Sequence, residues 1–233
     1  MNINEFYKFI IKELRNIMNM KPHYNRKNVY FLRFHRRSAA FLYKPYYDNQ
    51  SEWLRINNYA STGQAIKAPF TFYYVQDNDW SATHSYQFWN KNFTGASGVN
   101  NDVTLKTIYS PSPSGYVEPK TAAFTGFTST GNVIYNESQF NISGSFNKGF
   151  YFYSNWWRTG STIFFDALGF RDVYSARTTG KGDVALVDIH GSYWSTGASS
   201  VSNGCNLSFN SGAIAPQSQD ARSFGMQCWS VKE

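Results

Sequence analysis

Two cysteines and four histidines are the residues of this chain best suited to metal, redox or acid–base chemistry. His23, His35, His84 and His190 are scattered, and none stands at ligand spacing from Cys205 or Cys228, so no zinc site is expected. Asp77, Asn78 and Asp79 form a turn with carboxylates, but calcium takes roughly six to eight oxygens, more than three turn residues supply. The nearest approach to a general base with an orienting acid is His190 with Asp188, a spacing common by chance. A catalytic centre needs a nucleophile or base held by its partner. The expectation is a protein that is not an enzyme and carries no cofactor or metal.

The cysteines sit in two alternating runs. Cys205, Leu207 and Phe209 alternate with Asn206, Ser208 and Asn210, while Phe224, Met226 and Cys228 alternate with Gly225, Gln227 and Trp229. Each run has one apolar and one mainly polar face, the period-two mark of a half-buried strand. Pairing them antiparallel, Cys205 with Cys228, Leu207 with Met226 and Phe209 with Phe224, turns all six inward in one register. A slip of one residue would turn an apolar face outward. Directly opposed cysteines have Cβ atoms about 4.5–5.5 Å apart, slightly long for a relaxed bridge, so a Cys205–Cys228 disulfide and two buried thiols both stand open.

This hairpin predicts a long polar loop from Ser211 to Arg222, and loops of that length are more often functional than tight turns. Asn206, Ser208, Asn210, Ser223, Gln227 and Trp229 then form a polar platform on the outer face, next to the loop and Arg222. Tyr193, Trp194 and Trp229 are the expected anchors for a ligand, because aromatic rings bring large contact area at low entropy cost while Ser and Asn adapt their hydrogen bonds. Strand alternation requires at least one of Tyr193 and Trp194 to point inward.

Elsewhere, aromatic content is high at 19% and charge low at 16%. That balance excludes a disordered or coiled-coil chain and fits strands with polar loops. The net charge of +7 is unevenly placed: residues 1–45 carry ten Lys/Arg against two Glu, and residues 46–233 carry twelve against thirteen acids. The basic character belongs to an N-terminal arm, so no specific nucleic-acid role follows. Two domains are expected, 1–45 as a basic helix and arm and 46–233 as the main domain.

Asn4 to Met20 reads as an amphipathic helix with Phe6, Ile10, Leu14, Ile17 and Met18 on one stripe, ended by Pro22. Lys8, Lys12, Glu13 and Arg15 interrupt it, so it does not read as a secretory signal, and no stretch is long enough to span a bilayer. Val29 to Phe34 is strand-like and precedes the basic cluster Arg33, Arg36 and Arg37. Phe70, Phe72 and Tyr74 alternate as a strand. Pro111, Pro113 and Pro119 mark an irregular crossing. Gly149 to Trp157 reads as a central strand, and Ser161 to Arg171 as a buried strand turning at Gly169.

The succession TIYSPSPSGYVEP, AFTGFTSTG, TIFFDALGFR, GSYWS, NLSFNSGAIAP and RSFGMQCWSVKE resembles the C-terminal domain of Bacteroidales fimbrillin-like surface proteins, related to the Fibrobacter major paralogous domain. The likeness covers roughly residues 58–233. It implies an α+β, loop-rich C-type-lectin-like fold in its formylglycine-generating-enzyme-like variant, with the C-terminal antiparallel hairpin and an added N-terminal helix. It also implies ligand binding at a cell surface or on a phage particle. The hairpin is similar to the variable region of proteins diversified by retroelements through adenine-directed mutagenesis. On that likeness Ser192, Ser195, Asn203, Asn206, Ser208, Asn210, Gln217, Asp220 and Ser223 are the diversified, ligand-facing positions.

Two departures shape the expectation. Glu118-Pro119-Lys120 puts a cation where a calcium-dependent sugar site needs a ligand, and Cys205 and Cys228 are too far apart for a formylglycine-generating cysteine pair. The function expected is a non-enzymatic adhesin or receptor-binding domain for a protein or glycan ligand. The alternative is a structural subunit of a fimbria or phage particle, docking or self-associating through residues 1–45.

Overall fold

Tyr193 and Trp194 are consecutive in a stretch with strand propensity, so they must point to opposite faces, and burying both requires cover on each side of the sheet. The computed structural model shows this arrangement. It describes residues 54–68, 71–75, 78–93, 95, 102–174 and 182–233, all of which belong to one compact unit. The expected N-terminal helix, Val29 to Phe34, the Arg33, Arg36 and Arg37 cluster and the proposed 1–45 docking arm lie outside the described residues, as does Asp77.

In chain order the strands are β1 (Leu54–Asn57), β2 (Thr71–Tyr74), β3 (Tyr116–Val117), β4 (Ile142–Ser143), β5 (Gly149–Tyr153), β6 (Thr162–Asp166), β7 (Phe170–Arg171), β8 (Val184–Ala185), β9 (His190–Ala198), β10 (Asn203–Asn210), β11 (Ala213–Ala221), β12 (Gln227–Cys228) and β13 (Val231–Lys232). One short helix, α1 (Thr62–Lys67), lies between β1 and β2. Its capping box explains its start: Ser61 Oγ accepts from Gln64 N and Gln64 Oε1 accepts from Ser61 N, satisfying two donors the first turn would otherwise leave open.

The largest sheet has the order β11-β10-β9-β12. Tyr193 packs on one face with Leu207, Phe209, Ile214, Phe150, Phe152 and Phe165. Trp194 packs on the other with Tyr74, Phe170, Val173, Ala221 and Phe224. Burying each such ring contributes about 1.5–3 kcal/mol, and the rings interlock: Phe127 stacks on Phe152 at 3.9 Å and Phe165 on Trp229 at 4.5 Å. A second sheet, β4-β5-β6, presents Phe150 and Phe152 to the first cluster, and β5 is its central strand, as the aromatic run implied. Tyr151, between them in the chain, points outward and is 48% exposed. The stretch after it forms an edge strand, β6, rather than a fully buried one.

Several expectations are corrected here. Strand accounts for 39% of the described residues and helix for 10%, so strand-rich sheets with little helix replace the α+β, C-type-lectin-like reading. The C-terminal hairpin between the two cysteine runs does not form. Ser211 to Arg222 is not a loop: Ala213–Ala221 is β11, which takes the place beside β10 that had been given to the Phe224–Cys228 run. The physical reason is local. Ala213 to Ala221 can pair with β10 across a two-residue turn, whereas the Cys228 run would have to close a longer loop. Cys228 instead sits on β12, parallel to β9 and opposite Trp194. Cys205 and Cys228 are both free thiols, so the disulfide alternative falls.

Candidate functional site

The second core face is incomplete where β9 meets the segment running from β2 to Trp89. A pocket of about 340 Å³ opens there, walled by Phe72, Trp80, Phe88, Trp89, Trp194 and Phe224, with Arg222 at its edge. Trp80 stacks on Phe88 at 5.3 Å, so these two rings brace each other. Phe72 and Phe224 come from different strands and loops, and each is held by its neighbours: Phe72 stacks on Tyr74 at 5.8 Å and Phe224 meets Phe170 edge-on at 5.4 Å. Room for Trp194 depends on Gly204 of the neighbouring strand β10, where an added Cβ would lie 2.9 Å from the indole.

Two polar residues bind the walls together. Ser223 is 1% exposed. Its Oγ accepts from Val75 N at 3.1 Å and lies within donating distance of Val75 O and Asn78 O, at 2.7 and 2.6 Å. Arg222 donates from Nη1 to Ser85 O at 2.7 Å and from Nη2 to Val201 O. Its Nη2 also meets Asp79 Oδ2 at 2.9 Å, and its guanidinium lies over Tyr86 at 5.6 Å. Asp79 is fully buried. Burial raises its carboxyl above the ordinary carboxylate range, a push that outweighs the opposing pull of Arg222 and the hydrogen bonds from Ser81 and Trp80 backbone. Burial likewise lowers the Arg222 guanidinium, against the pull of Asp79.

Of the fourteen expected binding residues, the structure brings Trp194, Ser195, Arg222 and Ser223 to this pocket. The rest are dispersed. Ser192, Tyr193, Asn206 and Gln227 are buried, and Trp229 is partly buried against the first aromatic cluster. Asn203, Ser208, Asn210, Gln217 and Asp220 keep partial exposure on β10 and β11. The single polar platform is therefore not assembled. Asn206 Nδ2 donates to Asp220 Oδ2 at 2.8 Å, and Gln227 Nε2 to Gly169 O at 2.7 Å, so both amides serve the fold. Both Tyr193 and Trp194 are inside, because cover on both faces leaves no solvent side for either.

The other chemical candidates also take structural partners. Asp188 pairs with Lys148 at 2.6 Å rather than orienting His190, whose Nε2 lies 3.0 Å from Ser208 Oγ. Asp79 is committed to Arg222. Glu118 is buried and receives Ser112 N at 2.9 Å, Ser112 Oγ at 2.7 Å and Ser110 Oγ at 3.0 Å. Among the described residues no three His, Cys, Asp or Glu side chains cluster as metal ligands. No helix among them is long and apolar enough to cross a membrane.

Sequence reasoning missed the pocket wall from Phe72 to Trp89. Its signal was present in the aromatic density of FYYVQDNDWSATHSYQFW, where Phe72, Trp80, Phe88 and Trp89 exceed what one short strand can bury. Comparison with protein-family models, curated proteins and solved structures finds no match to this chain.

Proposed function

We propose that this is a non-enzymatic ligand-binding domain of the adhesin or receptor-binding kind, displayed at a cell surface or on a phage particle. The observation that carries this reading is the aromatic pocket. Concave apolar sites with a few placed polar groups are the usual form of a binding site, and aromatic residues with arginine dominate binding energy. The likeness to fimbrillin-like surface proteins in the six blocks of residues 58–233 points the same way. Partial exposure of Ser208, Asn210, Gln217 and Asp220 leaves room for the diversification that this likeness suggests.

The test is to present the full chain to arrays of glycans and of surface proteins, alongside the variant Ala65→Trp. Ala65 lines the pocket from α1, so a bulky side chain there fills it. Binding that is lost in the variant while the thermal midpoint holds supports the reading. Binding that is retained places the site elsewhere.

A second reading, a structural subunit of a fimbria or particle, is favoured by the tip of the β5–β6 hairpin. Trp156 and Trp157 are 49% and 81% exposed there, and contiguous exposed apolar surface is a mark of assembly contacts. Loss of particle assembly on Trp157→Ser, with the array result unchanged, would favour it.

A further inference from the structure

Resting on the binding reading above, we infer that the pocket takes an uncharged aromatic side chain presented by a protein partner. Its walls are rings: Phe72, Trp80, Phe88, Trp89, Trp194 and Phe224. Ring against ring contributes about 0.5–1.5 kcal/mol beyond the area buried, in offset or edge-on geometry. Charge decides against ions. The cation at the edge, Arg222, is already balanced by the buried Asp79 at 2.9 Å, so an anionic ligand meets little net positive charge. A cationic ligand approaches the guanidinium itself, whose side chain is still 14% exposed.

Hydrogen bonding decides against a sugar. A buried hydroxyl that loses water without a new partner costs about 1–3 kcal/mol. Two of the lining hydroxyls are engaged inward: Ser195 Oγ donates to Cys205 O at 2.9 Å, and Ser223 Oγ is held by Val75 and Asn78. A pyranose would bring several hydroxyls to a wall made mainly of the six rings, whose faces give a hydroxyl no lone pair or N–H. An indole or phenyl ring brings none, or one.

The source of the ring follows from the shape. Trp80, Tyr86, Phe88 and Trp89 are each partly exposed, so an occupant is gripped on one side and faces solvent on the other. Free small ligands are commonly buried over about 70–90% of their surface. A side chain anchored in a protein needs only its tip enclosed, the partner's surface covering the rest.

The test is saturation-transfer NMR on the full chain and on Ala65→Trp, with Trp89→Ala as a second variant that widens the pocket instead of filling it. The ligands are the capped peptide acetyl-Gly-Trp-Gly-amide, its Ala counterpart, free indole, methyl β-glucopyranoside, choline and benzoate. The Trp peptide is expected to bind, with affinity falling about tenfold or more in both variants, while the Ala peptide, glucoside, choline and benzoate do not. Pocket-dependent binding of the glucoside or an ion without the Trp peptide overturns the ligand class and leaves the pocket as the binding site. Binding of indole with exclusion of the Trp peptide overturns the protein source. Binding of nothing, or binding unaltered in both variants, overturns the inference and the pocket-based function together.

Discussion

Asp79 and Arg222 meet at 2.9 Å although each is drawn from a different end of the described chain. The contact ties the turn before Trp80 to the end of β11, and both residues lie beside the aromatic pocket. Burial disfavours both charges, raising Asp79 and lowering Arg222, so the pair is held by its geometry and by the Arg222 bonds to Ser85 O and Val201 O. Desolvation of a buried ion pair can equal or exceed its Coulomb gain.

Removing one half of that pair therefore differs from removing both. Asp79→Leu and Arg222→Met each leave a buried polar group without its partner, Asp79→Leu also removing the acceptor of the Ser81 and Trp80 backbone bonds, and each is expected to destabilise. Asp79→Leu combined with Arg222→Met removes both charges and is expected to cost much less than the sum of the single changes. Urea unfolding of Asp79→Leu, Arg222→Met and the double variant measures this directly. Strict additivity would mean that the pair is not coupled.

The same carboxyl gives a pH signature. Its folded pKa is raised from the ordinary 3.8, so between that value and the raised one the folded state holds more protons than the unfolded state. Stability contributed by Asp79 is therefore greatest at low pH and falls as pH rises through this window, then levels off. The difference in unfolding free energy between the native chain and Asp79→Asn, followed across acid pH, should carry that negative slope.

Local signals were legible and long-range ones were not. Alternation identified β2 and β10 and the inward set Cys205, Leu207 and Phe209, because a half-buried strand writes its period into the chain, while the unbroken aromatic run marked β5. The partner of β10 is β11, which no local pattern marks. Phe224, Met226 and Cys228 alternate as strongly as any strand, whereas Ala213 to Ala221 is polar and carries Pro216, features of a loop in isolation. Tertiary cover on both faces also hid the site. It buried Asn206 and Tyr193 together, which a one-sided sheet would have separated, and built the pocket from Phe72, Trp80 and Trp89, far from the cysteine runs.

The thiols should be inert. Burial pushes Cys205 up to about 11 and Cys228 higher still, with the Glu118 charge adding to the latter. The reacting species is the thiolate, so at pH 8 neither is expected to react quickly with iodoacetamide in the native protein. Both should react once it is unfolded in urea, as mass spectrometry would show. Rapid native labelling of Cys228 would mean that the pocket exposes its sulfur.

Asn206 and Ser208, neighbours on the supposed platform, should separate on mutation. Asn206 is 1% exposed and bonded to Asp220, so Asn206→Lys buries a charge and is expected to prevent folding or cost several kcal/mol. Ser208 is partly exposed beside His190, and Ser208→Lys should cost about 1 kcal/mol or less. Equal effects on the thermal midpoint would show that the two positions share one environment.

Gly191 offers the sharpest test of the central sheet. It stands on β9 opposite Phe209, and a Cβ added there would fall 2.1 Å from Cζ of that ring. Phe209 is 1% exposed and packs at 5.8 Å from both Phe150 and Phe152, so it has no free space into which to retreat. Gly191→Ala must therefore displace a ring that two others brace, and overpacking of this kind costs about 1–3 kcal/mol. Gly191→Ala with Phe209→Leu removes the clash while leaving part of the site empty, and should recover some of the loss relative to Gly191→Ala alone. If instead the double variant is the less stable by the sum of both changes, β9 and β10 do not meet in this register.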